Sequence, residues 1–293
     1  MELSAYLADR QKKIDRALDR FLPKETAKPA TIHKAMRYSL FAGGKRLRPI
    51  LSVAAAEACG GESEAALPAA CAVECIHTYS LIHDDLPSMD NDDFRRGRPT
   101  CHKAFGEGIA VLAGDALLTV AFEIIAHAEP TRRYPLRDLL IELAVGAGSR
   151  KLIAGQVADL EAEGKPITRS ELRYIHENKT AALLTTSVRL GAMSANVNPR
   201  ELTAITEFGQ SLGLAFQVID DILDVTQTSE KLGKSAGKDV AAKKATYPAV
   251  IGVDKSRREA QRLTSKAHVA LEIFGERGET LRALADHLLS REY

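Results

Sequence analysis

The sequence lacks the features that mark disulfide-rich, membrane and nucleic-acid-binding proteins. Its four cysteines show neither the spacing of a disulfide framework nor a CxxC zinc motif. The formal net charge is only +1 over 293 residues, so we expect no general attraction to nucleic acid or to an anionic membrane surface. The most apolar stretch, residues 109–128, is interrupted by Asp115 and Glu123, which argues against a membrane span.

Signals for export and for β-structure are also missing. The N-terminal segment has acidic residues and no apolar core of a signal peptide, so we expect a cytoplasmic protein. Sustained alternation of β-branched residues is absent, whereas segments with helical periodicity follow one another between Pro and Gly clusters. The predicted helices cover residues 1–22, 31–42, 49–58, 67–82, 108–127, 135–163, 168 to about 190, and 199–225. Because no linker divides them, the expected fold is all-α, a single-domain helical bundle over residues 1–293 around a deep central cavity.

Two clusters of aspartates, each at the end of an apolar run, are the main functional signal. The first contains Asp84, Asp85, Asp90, Asp92 and Asp93, and the second contains Asp220, Asp221 and Asp224. Carboxylates at this density repel one another unless a cation neutralises them. Mg²⁺ suits such oxygen ligands, since it is usually held by one or two carboxylates together with substrate phosphates. A solvated acidic loop would explain one cluster alone, but two clusters favour a Mg²⁺–diphosphate site.

The spacing within each cluster makes a geometric prediction. Asp220 and Asp224 are one helical turn apart and share a helix face. Asp84 and Asp90 are six residues apart and would point in different directions on a straight helix. Pro87 lies between them, and we expect it to bend the chain so that Asp90 returns toward Asp84.

Basic residues form a second, complementary signal. The segment Gly43–Pro49 reads GGKRLRP, in which glycines allow close approach to an anion and Lys45, Arg46 and Arg48 supply positive charge. It is not a Walker A loop, and alone it could be a basic surface turn. Arg95 and Arg96 follow the first acidic cluster, and lysines crowd residues 231–244, where a lid over a bound diphosphate is one interpretation.

Taken together, these separated motifs resemble those of the trans-prenyltransferases, the isoprenyl diphosphate synthases. The resemblance covers nearly the whole chain, with the motifs in the family's order. The matching motifs are GGKRLRP at 43–49, DDLPSMD at 84–90, RRG at 95–97, GQVADL at 155–160, KT at 179–180, FQVIDDILD at 216–224 and LGK at 232–234. The two-residue insertion in the first aspartate motif, and Tyr79 five residues before Asp84, are most similar to the bacterial farnesyl diphosphate synthases.

The resemblance implies a reaction and a set of roles. Isopentenyl diphosphate would be joined head to tail with dimethylallyl and geranyl diphosphate to give (2E,6E)-farnesyl diphosphate, with the released diphosphate accepting the proton. Three Mg²⁺ ions per site are implied, with Mn²⁺ as an alternative. The implied metal ligands are Asp84, Asp90, Asp220 and Asp224. The implied catalytic residues are Asp84, Asp85, Asp90, Lys179, Thr180, Gln217, Asp220 and Asp221. The implied substrate-binding residues are Lys45, Arg48, His77, Arg95, Arg96, Lys179, Thr180, Gln217, Lys234 and Lys244. Tyr79 and Ser80 would set chain length, and Arg291 is a further candidate for closing the site.

Other interpretations remain open at this point. The same chemistry could end at geranyl or geranylgeranyl diphosphate. A class I terpene cyclase also uses aspartates and Mg²⁺, but it needs no second diphosphate site such as the one suggested by Gly43–Pro49. A non-catalytic synthase subunit would be expected to lose part of one acidic cluster, and both are complete. The resemblance also implies a homodimer, formed through the region Gly108–His127.

Overall fold

The computed structural model describes residues 2–226 and 246–289, and regular structure in these ranges is almost entirely helical. In chain order the elements are α1 (Leu3–Phe21), α2 (Ala30–Leu40), α3 (Leu47–Ala58), α4 (Ser63–Asp84), β1 (Phe94–Arg95), β2 (Arg98–Pro99), α5 (Cys101–Phe105), α6 (Glu107–Ile125), α7 (Leu136–Ala147), α8 (Leu152–Ala162), α9 (Arg169–His176), a π-helix (Glu177–Ala181), α10 (Ala182–Ser194), α11 (Pro199–Thr226), α12 (Tyr247–Ile251), α13 (Val253–Ala270), a 3₁₀ segment (Glu272–Gly278) and α14 (Glu279–Leu289). The all-α prediction is confirmed.

Three helices that are apolar on most sides form the centre of the bundle. Helices α3, α4 and α10 bury residues around most of their circumference, as expected for helices without a polar face. Helix α10 packs against α3, α4, α7 and α11. The outer helices are amphipathic; in α1, for example, Tyr6, Ile14 and Leu18 are buried while the opposite side is polar. Helix α10 contacts both α4 and α11, so the helices that carry the two acidic clusters share a neighbour.

Helix boundaries differ from the predicted ones in three places. The helix predicted over residues 135–163 is two helices, because the backbone of Gly148 is extended and the chain turns before α8. The helix predicted from Thr168 contains one π-helical turn, at Glu177–Ala181. A two-stranded antiparallel hairpin pairs β1 with β2 directly after the first acidic cluster, where no strand was predicted. Strands of two residues are too short to produce a readable alternation in the sequence.

Helices α4 and α6 are long and apolar enough to cross a membrane by length and composition alone. In α4, 67% of the most apolar window is buried, which fits a core helix of the bundle. In α6 the buried share is 44%, and Val111 and Leu112 remain exposed on its outer side. Helix α6 therefore has one face packed on the bundle and one apolar face that no described residue covers.

Candidate active site

The first acidic cluster folds back on itself as its sequence predicts. Helix α4 ends at Asp84, and the backbone N–H of Asp90 donates to the carbonyl of Asp84 at 2.8 Å. The turn between them is closed by further backbone bonds from Met89 and Asn91 to the carbonyl of Leu86. Asp84 and Asp90 are thus brought together, and the predicted bend is confirmed.

The electrostatic state of Asp84 reflects this crowding. Burial raises the pKa of Asp84 to about 6, the nearby charge of Lys179 opposes the shift, and Asp90 adds to it. A carboxyl group that is partly desolvated and beside a second carboxylate is poised to accept a cation. Asp84 and Asp90 are therefore candidate ligands for a cation at this end of α4.

Asp85 has a different partner from Asp84. It is buried, and the Arg95 guanidinium grips its carboxylate, with Nε 2.9 Å from both oxygens and Nη2 2.6 Å from Oδ1. Burial raises the pKa of Asp85 and Arg95 opposes the shift. The hairpin supplies Arg95 from β1. Arg95 therefore neutralises Asp85. If Arg95 also contacts substrate, as predicted, its guanidinium is already held in place by this ion pair.

Several of the predicted diphosphate-binding residues lie close together around the GGKRLRP loop. Arg48 Nη1 lies 3.1 Å from His77 Nε2, which joins α3 to α4. Arg96 donates to the carbonyl of Gly43. Burial lowers the pKa of His77 well below its usual value, and Arg48 and Arg96 lower it further. A neutral His77 that accepts from Arg48 through Nε2 carries its proton on Nδ1. The structure therefore brings Arg48, His77 and Arg96 together, with exposed Lys45 on the same loop.

Arg46 does not belong to this anion-facing set, and the expectation that it supplies charge there is wrong. Its side chain is buried, with Nε 2.8 Å from Asp15 Oδ1 and Nη1 2.9 Å from Glu74 Oε1. Its backbone is left-handed, with φ at 48°. The loop is thus anchored to α1 and α4 by Arg46. Glu74, buried in the apolar run of α4, was the sequence signal for this anchor, since a buried carboxylate needs a partner.

The π-helix carries Lys179 and Thr180. Lys179 Nζ lies 2.5 Å from Asp159 Oδ2 in the GQVADL motif of α8, and its charge also acts on Asp84. A Cβ at Gly155 would lie 2.0 Å from the backbone nitrogen of Lys179, so only glycine allows α8 to approach the π-helix this closely. π-Helical turns are rare and occur frequently at functional sites.

Thr180 begins a hydrogen-bond chain that leads into the second acidic cluster. Thr180 Oγ1 donates to Gln217 Oε1 at 3.0 Å, and Gln217 Nε2 donates to Asp221 Oδ1 at 3.0 Å. Asp221 Oδ2 accepts from the backbone N–H of Tyr247 at 2.9 Å. Asp221 is buried, and its carboxylate positions Gln217 and the start of α12. Adjacent residues of the π-helix therefore link the two acidic clusters.

The remaining acids of the second cluster differ from Asp221. Asp220 is half-buried, whereas Asp224 is buried and neither of its carboxylate oxygens has a hydrogen-bond partner among the described residues. An unpaired buried carboxylate is costly, which is an argument that a cation belongs beside it. Among residues 2–226 and 246–289, no three His, Cys, Asp or Glu side chains converge as a ready-made metal site. Mg²⁺ usually takes one or two carboxylates and completes its shell with phosphate and water.

The two predicted chain-length residues, Tyr79 and Ser80, lie next to each other on α4. Tyr79 is buried on α4 with its ring edge-to-face against His83. Ser80 Oγ donates to the carbonyl of His77. Lys234, Lys244 and Arg291 lie outside the described residues.

Comparison with known proteins agrees with this geometry. The family model described as polyprenyl synthetase matches residues 29–278. The chain is 49% identical to a chloroplastic geranylgeranyl pyrophosphate synthase of Catharanthus roseus, over 99% of this chain and 82% of the relative. It is 46% identical to a geranylgeranyl diphosphate synthase of Cyanophora paradoxa, over 99% and 96%.

Solved structures give the same result. A geranylgeranyl pyrophosphate synthetase from Pyrococcus horikoshii superposes with a TM-score of 0.90 at 32% identity, over 99% of this chain and 98% of that one. An FPP/GFPP synthase from Zymomonas mobilis superposes with a TM-score of 0.85 at 35% identity, over 98% of each chain. The chain belongs to the polyprenyl synthetase family, the trans-isoprenyl diphosphate synthases.

Proposed function

We propose that this prenyltransferase condenses isopentenyl diphosphate with allylic diphosphates, and that its end product is geranylgeranyl diphosphate. The observation that carries the reaction is the π-helix, whose Lys179 interacts with the first acidic cluster while Thr180 is hydrogen-bonded toward the second. This arrangement supports a single leaving diphosphate held between both clusters. The chain length rests on the named relatives, which include several geranylgeranyl synthases.

Asp84, Asp90, Asp220 and Asp224 would hold Mg²⁺ beside the allylic diphosphate. The fit rests on the unpaired buried carboxylate of Asp224 and the crowding of Asp84 by Asp90. When bound, Mg²⁺ would supply positive charge where negative charge develops on the departing diphosphate. Lys179, held by Asp159, would add a fixed cation on the same side. We propose three ions per site, with Mn²⁺ as an alternative.

Arg48, His77 and Arg96, with Lys45, would bind the second diphosphate, that of isopentenyl diphosphate. Their mutual contacts fix these side chains before substrate arrives, which reduces the entropy lost on binding. The Arg46 anchor holds the loop that carries Lys45. The alkene would thereby be aimed at the allylic carbon.

Thr180 and Gln217 would present oxygen atoms toward the allylic cation. Gln217 is held by hydrogen bonds at both ends of its amide, so its oxygen dipole is fixed before the cation forms. The released diphosphate would accept the proton that the new carbon chain loses.

A second candidate product, the fifteen-carbon farnesyl diphosphate, is favoured by Tyr79. Five residues of helix rise about 7.5 Å, so Tyr79 lies deeper in the bundle than Asp84. Its ring is buried. A ring in this position would stop chain growth if the growing product ran along α4. The two candidates differ only in whether this ring ends the cavity at fifteen carbons or at twenty.

Product analysis separates them. The full chain is incubated with isopentenyl and dimethylallyl diphosphates and Mg²⁺, and product length is read by mass spectrometry. A twenty-carbon product supports the main proposal, and a fifteen-carbon product supports the second candidate. Absence of any elongated product would contradict both. In either case Tyr79→Ala should lengthen the product, whereas Tyr174→Ala, at an exposed tyrosine, should not.

We also propose a homodimer formed through α6. Val111 and Leu112 are 40% and 54% exposed on α6, and Ile153 and Val157 on α8 are similarly exposed. Helix α7 packs against both of these helices. Exposed apolar area of this kind typically marks an interface. Light scattering should give twice the chain mass of 31.8 kDa, and Leu112→Glu should halve it while Val269→Glu, at an exposed residue of α13, should not.

A further inference from the structure

A groove of about 430 Å³ lies beside α10, which contributes Ala182, Thr185, Thr186 and Arg189 to its lining. Other lining residues come from α7, α9, α11 and α13, and Lys151, directly before α8, also lines the groove. This volume is within the range of small-molecule sites. None of the residues that line it was assigned above to metal or diphosphate binding.

The lining is rich in positive charge. It contains five cationic side chains and two carboxylates, which are Lys151, Arg173, Arg189, Arg262, Lys266, Glu142 and Glu177. The three arginines are each paired with a glutamate at 2.7 or 2.8 Å. These ion pairs fix the walls but leave little positive charge unbalanced.

The two lysines are the uncompensated charges. Neither Lys151 nor Lys266 forms an ion pair or hydrogen bond through its ammonium group within the described part of the chain, and both line the same groove. Two ammonium groups at one cavity favour a ligand that carries about two negative charges, such as a diphosphate.

The rest of the groove lining is mixed, with apolar side chains beside the polar side chains of Thr185, Thr186, Thr206, Gln210 and Ser211. Ala182, Leu214 and Leu263 are buried there, and Val145 lies on the wall. A ligand that placed its charge on the lysines would lay any remaining part on this surface. Two lysines and a partly apolar wall in one groove suit an amphipathic anion.

We propose that this groove is a second ligand site, which binds a small molecule carrying a diphosphate, or an equivalent dianion, next to an apolar chain. The site is separate from the proposed active site but shares one element with it. Glu177 and Ala181 of the π-helix line the groove, while Lys179 and Thr180 of the same turn reach the acidic clusters. Ligand in the groove would therefore contact the element that carries the catalytic lysine.

Binding is tested by calorimetry on the full chain with EDTA present, which keeps Mg²⁺ from holding ligand at the aspartates. The probes are inorganic pyrophosphate and geranylgeranyl diphosphate. The variants are Lys151→Ala/Lys266→Ala in the groove and Lys255→Ala as a control, an exposed lysine of α13 that does not line the groove. Each variant is also made in a Lys45→Ala/Arg48→Ala background, which removes the other cationic site.

We expect pyrophosphate to bind the background chain and its Lys255→Ala form equally. The double groove variant should bind at least about tenfold more weakly, because it loses two charged contacts. Geranylgeranyl diphosphate should bind more tightly than pyrophosphate by about tenfold or more, because its chain can cover the apolar part of the lining. Equal affinity of the groove variant and the control would overturn the site, and equal affinity of the two probes would overturn the amphipathic assignment. Because no turnover is measured, a failure here is distinguishable from a failure of the proposed reaction.

Discussion

Replacement of Arg46 by methionine should show how strongly the loop that carries Lys45 depends on a buried ion pair. The Arg46 side chain is 3% exposed and bridges Glu74, which is 4% exposed, and Asp15, which is 38% exposed. Methionine keeps much of the side-chain volume but removes both charged contacts. Glu74 then remains buried among apolar residues of α4 without the cation that is hydrogen-bonded to it.

The expected cost follows from this difference in burial. Breaking a buried ion pair by removing one partner costs about 3–5 kcal/mol, because the other charge stays desolvated. Asp15 contributes little to this cost, since it is accessible to water. Neutralising the remaining partner should recover most of the loss, so Arg46→Met/Glu74→Gln is expected to be less than about 2 kcal/mol below the wild type.

Urea unfolding followed by circular dichroism measures these free energies. The matched control is Arg200→Met, an exposed arginine with no ion pair among the described residues. If Arg46→Met cost less than about 1 kcal/mol, or no more than the control, the buried pair would not anchor the loop. A double variant less stable than Arg46→Met would equally refute the reasoning. The KM for isopentenyl diphosphate should rise in Arg46→Met and not in Arg200→Met, although neither arginine is expected to touch substrate.

Three further predictions concern the site and its support. Asp84→Ala should abolish turnover at any Mg²⁺ concentration. Asp93→Ala should lower turnover only mildly, because this exposed carboxylate pairs with Lys103 at 2.7 Å. Steady-state kinetics measures both effects. Gly155→Ala should cost about 1–3 kcal/mol of stability by urea unfolding and lower kcat, because the new methyl group would lie 2.0 Å from the backbone nitrogen of Lys179. Burial lowers the pKa of His176 to about 4. Below about pH 6.5 the unfolded chain therefore takes up a proton at this histidine that the native chain does not. The free energy of unfolding should fall by up to about 1.4 kcal/mol per pH unit as the pH falls toward 4.

Each of these has a control in the chain. Gly108→Ala, also helical but with open space around its Cβ, should leave stability and kcat unchanged. His287→Gln, at an exposed histidine, should keep the wild-type pH slope, whereas His176→Gln should reduce it. Equal activity losses for Asp84→Ala and Asp93→Ala, equal effects of the two glycine substitutions, or equal slopes for the two histidine variants would each contradict the corresponding prediction.

Much of the fold and of the site was predictable because the signals are local. Apolar periodicity indicated the helices, and the return of Asp90 toward Asp84 followed from helix geometry and Pro87. The features that the sequence did not predict are short and local. The break at Gly148 and the π-helical turn at Glu177–Ala181 depend on neighbouring helices, and a hairpin of two-residue strands has no period to detect. The expectation of a farnesyl product rested on Tyr79 and on the two-residue insertion in the first aspartate motif, and overall similarity to geranylgeranyl synthases now favours the longer product.

The sequence by itself determined the helical class, the family and the types of residue that gather around a diphosphate, because charge density and motif order are properties of the chain. Only the tertiary structure decided which charges are available for chemistry. Arg46 and Arg48 are two residues apart in one motif, yet one is buried against Glu74 and the other contacts His77. Asp221 and Asp224 likewise differ only in their surroundings, one hydrogen-bonded to Gln217 and the other unpaired. Burial and partners come from distant helices, so identical side chains acquire different roles only when the chain has folded.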